Sequence, residues 1–221
     1  MSSSSVEARR TIVYIDGLNL YYGLVAQGWR KYLWLNLLAY AQSLLHTGQR
    51  LQRVDYFTTE VINPADKAAR QRSYLAALRT LKGVFVTKGR YDPSDFRCPA
   101  CGVLLACPTC LAGGATSTEK MTDVHIATRL VADAHRNWYD DAILVTGDSD
   151  QVPAVKHVRA LFPEKRVLAC FPPSRKSYHL ESVASSVVEA MEENYRKAQF
   201  DTVVETSPGR TVTRPSKWTG S

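Results

Sequence analysis

No stretch of this 221-residue chain approaches the ~18 consecutive apolar residues that span a bilayer. The opening MSSSSVEARR has no apolar core, so no secretory signal is expected; the protein is expected to be cytoplasmic, with no membrane partner. There is no GxGxxG and no glycine-rich phosphate loop, which leaves nucleotide-cofactor chemistry without support. None of the five histidines stands at metal-ligand spacing from a partner. His125 follows Asp123 by two positions, which places it on a different side of a helix, so no catalytic histidine is assigned. A phosphatase with an aspartyl nucleophile wants a second aspartate two residues after the first, and Asp16 is followed by Gly17 and Leu18. Acid is also the scarcer charge: 21 Asp and Glu stand against 28 Lys and Arg, a formal net charge of +7. A basic surface attracts phosphate and releases its counterions, so nucleic acid is the first partner class to consider.

Cysteine is concentrated in one place. Of five, Cys98, Cys101, Cys107 and Cys110 form two CPxC units, while Cys170 sits in an apolar strand and reads as a core residue. In a reducing compartment such clustering points to metal rather than disulfides. Four thiolates suit a structural, tetrahedral Zn²⁺, although the five-residue spacer is shorter than the ~15–20 usual between such pairs. Redox-active or vestigial cysteines are the alternative. The surrounding 92–117, with three prolines and Gly113-Gly114, reads as an insertion whose folding would depend on zinc.

Elsewhere strands and helices alternate. Apolar runs predict strands at Thr11–Ile15, Val54–Thr58, Val84–Thr87, Ala142–Thr146 and Arg166–Phe171. Helical spacing covers Trp34–Leu45, Pro64–Leu81, Thr118–Ala134, Val152–Leu161 and Tyr178–Tyr195, with Thr116 and Glu119 as a capping box before the third. The expected fold class is α/β, with a mostly parallel sheet covered by helices on both faces. One domain is expected over 9–200. Residues 201–221, rich in Ser, Pro and Gly and basic from Thr206 onward, read as a flexible tail.

In open α/β sheets ligands bind at the carboxyl ends of the strands. Asp16 and Asp148 follow two such ends, Asp150 lies two residues on, and Asp123 falls near a helix N-terminus, where the macrodipole favours a carboxylate. One such aspartate is ordinarily a cap or turn former. Four together are costly without a neutralising cation, and hard divalent ions such as Mg²⁺ or Mn²⁺ prefer oxygen ligands. Asn19 is placed to hold Asp16 or to contact substrate, and Thr146 and Ser149 to orient the acids. Lys120 either reaches a substrate phosphate or forms an ordinary ion pair. Arg175 and Lys176 follow the fifth strand at the same end of the sheet, as phosphate-binding candidates. Tyr21, Tyr22 and Trp29 are candidates for base stacking or for core packing. Lys67, Arg70, Arg72 and Arg79 read as a solvated helix face.

The segments YIDGLNLYYG, EKMTDVHIATRL and ILVTGDSDQVPAV, in this order, resemble the NYN domain, a branch of the PIN-like nuclease superfamily. The resemblance covers roughly residues 10–195. It implies a Rossmann-like α/β/α sandwich and metal-dependent RNA cleavage. Asp16, Asp123, Asp148, Asp150 and Asn19 match its catalytic and metal-binding positions, and Asn19, Lys120, Ser149, Arg175 and Lys176 are the expected substrate contacts. Ala184-Ser185 stands where the family commonly has Ala-Asp, a position not expected to bind metal. The residues themselves do not separate RNA from DNA, a nuclease from a catalytically silent binding module, or a monomer from a homodimer.

Overall fold

The structure, a computed structural model, describes residues 7–95 and 115–219, and for 91–95 and 115–119 the backbone alone. The four clustered cysteines, and with them the expected zinc site, lie outside the described residues. The chain runs β1 (Arg9–Asp16), α1 (Gly17–Ala26), α2 (Leu37–Ser43), β2 (Gln49–Thr59), α3 (Ala65–Leu78), β3 (Val84–Asp95), β4 (Ala115–Lys120), α4 (Thr122–His135), β5 (Asp141–Val145), α5 (Val152–Leu161), β6 (Arg166–Cys170), α6 (Tyr178–Val183), β7 (Ser186–Val187), α7 (Glu192–Lys197), β8 (Val203–Ser207) and β9 (Arg210–Thr213).

The seven-stranded sheet has the order β4-β3-β2-β1-β5-β6-β7. Its strands are parallel except β4, which pairs antiparallel with β3. The α/β expectation therefore holds. The strands are apolar without alternation because both faces are buried. Val13 and Ile15 of β1, Ile143 and Val145 of β5, and Leu168 and Cys170 of β6 meet α1, α2, α3 and α7 on one face. Their neighbours Ile12, Tyr14, Ala142, Leu144, Val167 and Ala169 meet α4, α5 and α6 on the other. Cys170 is fully buried, as expected of a core residue, and burial pushes its thiol up to about 12.

Three expectations are corrected. Thr116 and Glu119 belong to β4 and not to a capping box: α4 begins at Thr122, after Met121 at a left-handed φ of 82°. Tyr178–Tyr195 is not one helix. It breaks after Val183 because Ser186 and Val187 pair with Leu168 and Ala169 as the sheet's last strand. Residues 201–219 are not a flexible tail. They form the β8–β9 hairpin followed by a 3-10 turn at Ser216–Trp218. Apolar side chains spaced along this polar segment fix it: Val204 and Val212 pack on the core, and Trp218 is buried against Trp34 and Tyr74 with ring centroids 6.2 and 6.0 Å away. The Trp34 indole N–H donates to the Asp201 carbonyl (2.8 Å), and Lys217 pairs with Asp66 (3.2 Å).

At the amino ends of the strands, acids are neutralised by arginine. Asp141 is buried. Burial alone raises its pKa, but Arg166, Gln49 and Arg9 hold it below the usual carboxylate value. Arg10 donates to Asp140 (2.7 Å) and holds it at about 2. An unfolded aspartate titrates near ~3.9. The stabilisation from Asp140 is therefore present above the unfolded value and lost as pH falls through the folded one. Asp140→Asn should lower the urea midpoint at neutral pH, and its deficit against wild type should narrow between about pH 4 and pH 2. A deficit independent of pH across that window contradicts the assignment.

Candidate metal-dependent nuclease site

The strand order reverses direction between β1 and β5, the switch point where α/β sheets open a crevice beyond their carboxyl ends. Asp16 ends β1 and Asp148 lies just past β5, so each borders that crevice. Each also begins a helical segment. Asp16 Oδ1 accepts the Asn19 backbone N–H (2.9 Å) at the start of α1, and Asp148 Oδ1 accepts the Asp150 N–H (2.9 Å) at the 3-10 turn leading into α5. The capping role expected of an isolated aspartate is thus real here, and it occupies one oxygen of each.

Further hydrogen bonds lock the two strand ends together. The Thr146 hydroxyl donates to Asp16 Oδ2 (2.9 Å) and accepts from the Asp148 N–H (3.1 Å). Asn19 Oδ1 accepts the Gly147 N–H (3.0 Å). Asn19 is therefore a positioning residue that ties α1 to the β5 loop. Asp16 is 4 % exposed, and burial pushes its carboxyl up; the Asn19 N–H and Thr146 hydroxyl counter this, and the charge of Asp148 adds to the rise. Asp123 comes from the opposite side, in the first turn of α4. The Gln151 side-chain amide donates to the Asp123 carbonyl (3.3 Å), which fastens α4 to the 3-10 turn.

Carboxylate oxygens of Asp123, Asp148 and Asp150 lie within 4.8 Å of one another. Two of these residues are half-buried and Asp150 is exposed. Asp16 joins Asp123 and Asp148 in the wall of a cleft completed by Leu18, Asn19, Tyr22, Thr122 and Arg175. Asp16 is thus beside the three-carboxylate group and does not belong to it. Three acids and one arginine line this wall, an excess of negative charge that a divalent cation would neutralise. The donor chemistry would suit one: all are hard oxygens.

The other expected contacts divide. Arg175 lines the cleft. Ser149 is exposed on the 3-10 turn, and Lys120 is exposed at the end of β4, outside the cleft wall. Lys176 is not brought to the acids: it pairs with Glu181 (2.9 Å) and lines a separate depression. Of the aromatic candidates, Tyr22 lines the cleft, whereas Trp29 packs on Tyr32 and Tyr195 (5.8 Å each) as part of the core. Gly147, Thr122 and Gln151 were missed. Gly147 was legible only as the middle of Thr-Gly-Asp. A β-carbon there would lie 1.8 Å from the Arg175 carbonyl oxygen, a contact with backbone that no rotamer relieves. Gly147→Ala should displace the loop carrying Arg175 and cost at least about 3 kcal/mol, the upper range for overpacking. A thermal melt equal to wild type counts against that fit.

The NYN domain model matches residues 10–192. This chain belongs to the NYN domain family. NYN domains are generally nucleases, and the acidic cleft lies at the switch point of this NYN sheet. Over 187 residues the chain is 29% identical to 6-hydroxy-3-succinoylpyridine 3-monooxygenase HspA of Pseudomonas putida, covering 70% of this chain and 57% of that protein. The chain thus spans little more than half of that relative's length, and the relative's name assigns no reaction here. The crystal structure of a Vibrio parahaemolyticus protein of unknown function superposes with a TM-score of 0.56 at 18% identity, over 87% of this chain and 98% of that one. At that identity the likeness concerns the fold alone. Among the described residues no helix is long and apolar enough to cross a membrane.

Proposed function

We propose that this NYN domain is a ribonuclease that hydrolyses phosphodiester bonds with Mg²⁺ or Mn²⁺ held by Asp123, Asp148 and Asp150, with Asp16 beside them. The observation that carries this reading is the mutual approach of three carboxylates within 4.8 Å, two of them in the wall of a cleft to which buried Asp16 adds another. When bound, the divalent ion supplies Lewis-acid stabilisation of charge on phosphoryl oxygens and an acidified water.

The protein's own part is positional. Thr146 and Asn19 tie the two strand ends together, which supports the placement of Asp16 against Asp148. The N-termini of α1 and α4 and the 3-10 turn before α5 all border the acids, and their dipoles stabilise the carboxylate charge. Arg175 and Tyr22 line the cleft, which supports a phosphate contact for the one and a place along the path of the strand for the other. Among the described residues no serine, cysteine or histidine lines the cleft, and hydrolysis by water needs none. The net charge of +7 supports a nucleic-acid substrate, and the family resemblance supports RNA over DNA. For Cys98, Cys101, Cys107 and Cys110 the paired CPxC spacing remains the support for a structural Zn²⁺.

The direct test incubates end-labelled single-stranded RNA, structured RNA and single-stranded DNA with the protein and Mn²⁺, with and without EDTA. RNA cleavage abolished by EDTA is expected. Binding without cleavage under every condition replaces the proposal with a catalytically silent RNA-binding module, and cleavage of DNA alone replaces its substrate.

A further inference from the structure

Beside the acidic cleft lies a second cavity with different chemistry. Its walls include Leu24, Leu35, Tyr56, Val61, Tyr74 and Trp218, all nine-tenths or more buried, with Lys67 and Arg70 among the lining. Leu18 lines both the cavity and the cleft, and Gly17 of the cavity wall follows Asp16 directly. Tyr21, on the cavity side, and Tyr22, on the cleft side, meet edge to face at 5.3 Å, and the Lys67 ammonium lies 5.5 and 5.7 Å from their ring centroids. Lys67 is therefore a clamp at the boundary between two sites, where sequence reasoning had placed it on a solvated helix face.

We propose that this cavity receives one unstacked nucleobase of a single-stranded RNA whose backbone runs into the acidic cleft. The proposal rests on the ribonuclease reading of that cleft. Aromatic and aliphatic walls suit the ring edge of a base, and the Lys67 ammonium suits a phosphate that flanks it, Arg70 being already paired with Asp66 (2.6 Å). The cavity volume is about 70 Å³. That is about half of the roughly 150 Å³ that admits benzene, so the cavity encloses one edge of a base, with the rest of the ring and the sugar outside, and a stacked pair or a helical peptide is refused.

The cavity reads the presence of a base more than its identity, because the polar groups in its wall are already engaged. Gln71 donates to the Thr59 carbonyl and accepts the Val61 N–H (2.7 Å each), and the Tyr74 hydroxyl donates to the Leu35 carbonyl (2.8 Å). Few free donors or acceptors remain to discriminate Watson–Crick edges, whereas every base offers an apolar ring edge.

The test uses the full chain carrying Asp148→Asn and a fluorescent hexaribonucleotide backbone with abasic sugars throughout, compared with the same strand bearing one central uracil or one central adenine. Anisotropy should show a gain in affinity of about 10-fold from the single base, within the range for one base–aromatic contact, and alike for uracil and adenine within about 3-fold. Val61→Phe, which fills the cavity, should cancel the gain. Where Val61→Phe does not fold, Lys67→Ala should reduce the gain at least about 3-fold by freeing the tyrosine pair. No gain from the base, a gain that survives the cavity variant, or a strong preference for one base overturns the proposal. Failure of the ribonuclease reading is recognised separately, as wild-type protein with Mn²⁺ that leaves all-base RNA intact while the single-base gain persists.

Discussion

Asp148→Asn should lower the rate of RNA cleavage by more than about 100-fold while leaving the melting temperature nearly unchanged. The floor comes from outer partners of metal ligands, whose loss alone costs 10–100-fold. The separation of activity from stability follows from the local geometry. Asp148 Oδ1 caps the 3-10 turn by accepting the Asp150 N–H, and an asparagine carbonyl accepts the same bond. What disappears is one negative charge in a wall shared by three carboxylates and Arg175. Asp123→Asn should behave alike. Asp150→Asn should cost less, because Asp150 is the exposed member of the group and does not line the cleft. Initial rates on labelled RNA at saturating Mn²⁺, with a thermal melt of each variant, check the order. Equal rates for wild type and Asp148→Asn would refute the assignment of this cleft as the reaction centre.

The largest stability effect is expected from the carboxyl-terminal segment. Trp218→Ala should destabilise the protein by about 3–5 kcal/mol, the range for emptying a buried aromatic site. For a domain of this size that is a fall in melting temperature of roughly 10 °C. Trp218 is 6 % exposed and wedged against Trp34 and Tyr74. Its neighbours cannot collapse into the gap, since Trp34 is held through its indole N–H by Asp201 and Tyr74 through its hydroxyl by Leu35. Removal of residues 201–221 should cost at least as much, because Val204 and Val212 leave the core with it. A truncated protein that melts like the full chain shows that the segment does not brace the fold.

The sequence made the central strands legible because both faces of the sheet are buried. Val13, Ile15, Ile143 and Leu168 belong to unbroken apolar runs that no helix period explains. The acids were legible because they interrupt those runs at strand ends. Other elements were obscured for identifiable reasons. Helix α1 carries Gly17 and Gly23, weak helix formers, yet both positions are demanded by close approach: a β-carbon at Gly17 would stand 2.6 Å from the Phe57 carbonyl, and one at Gly23 would stand 2.8 Å from that of Pro173. Strand β4 is polar, so its Thr and Ser residues were absorbed into the following helix. The terminal hairpin carries its apolar residues singly among charged ones, and only tertiary contact reveals that Val204, Val212 and Trp218 face one core. Whether Lys176 would turn toward the acids or away was not written in its spacing; the acid that claims it, Glu181, is five residues on.

Strand β4 runs back along β3, with Asp95 opposite Ala115 and Arg90 opposite Lys120. The polypeptide thus leaves the sheet and returns to it at neighbouring points on one edge. Because both described flanks end at that one edge, a change in the number of residues between them would leave the register of β2, β1 and β5 unaltered. The sheet that carries the acids is thus insulated, through a single two-stranded stem, from whatever length of chain separates Asp95 from Ala115.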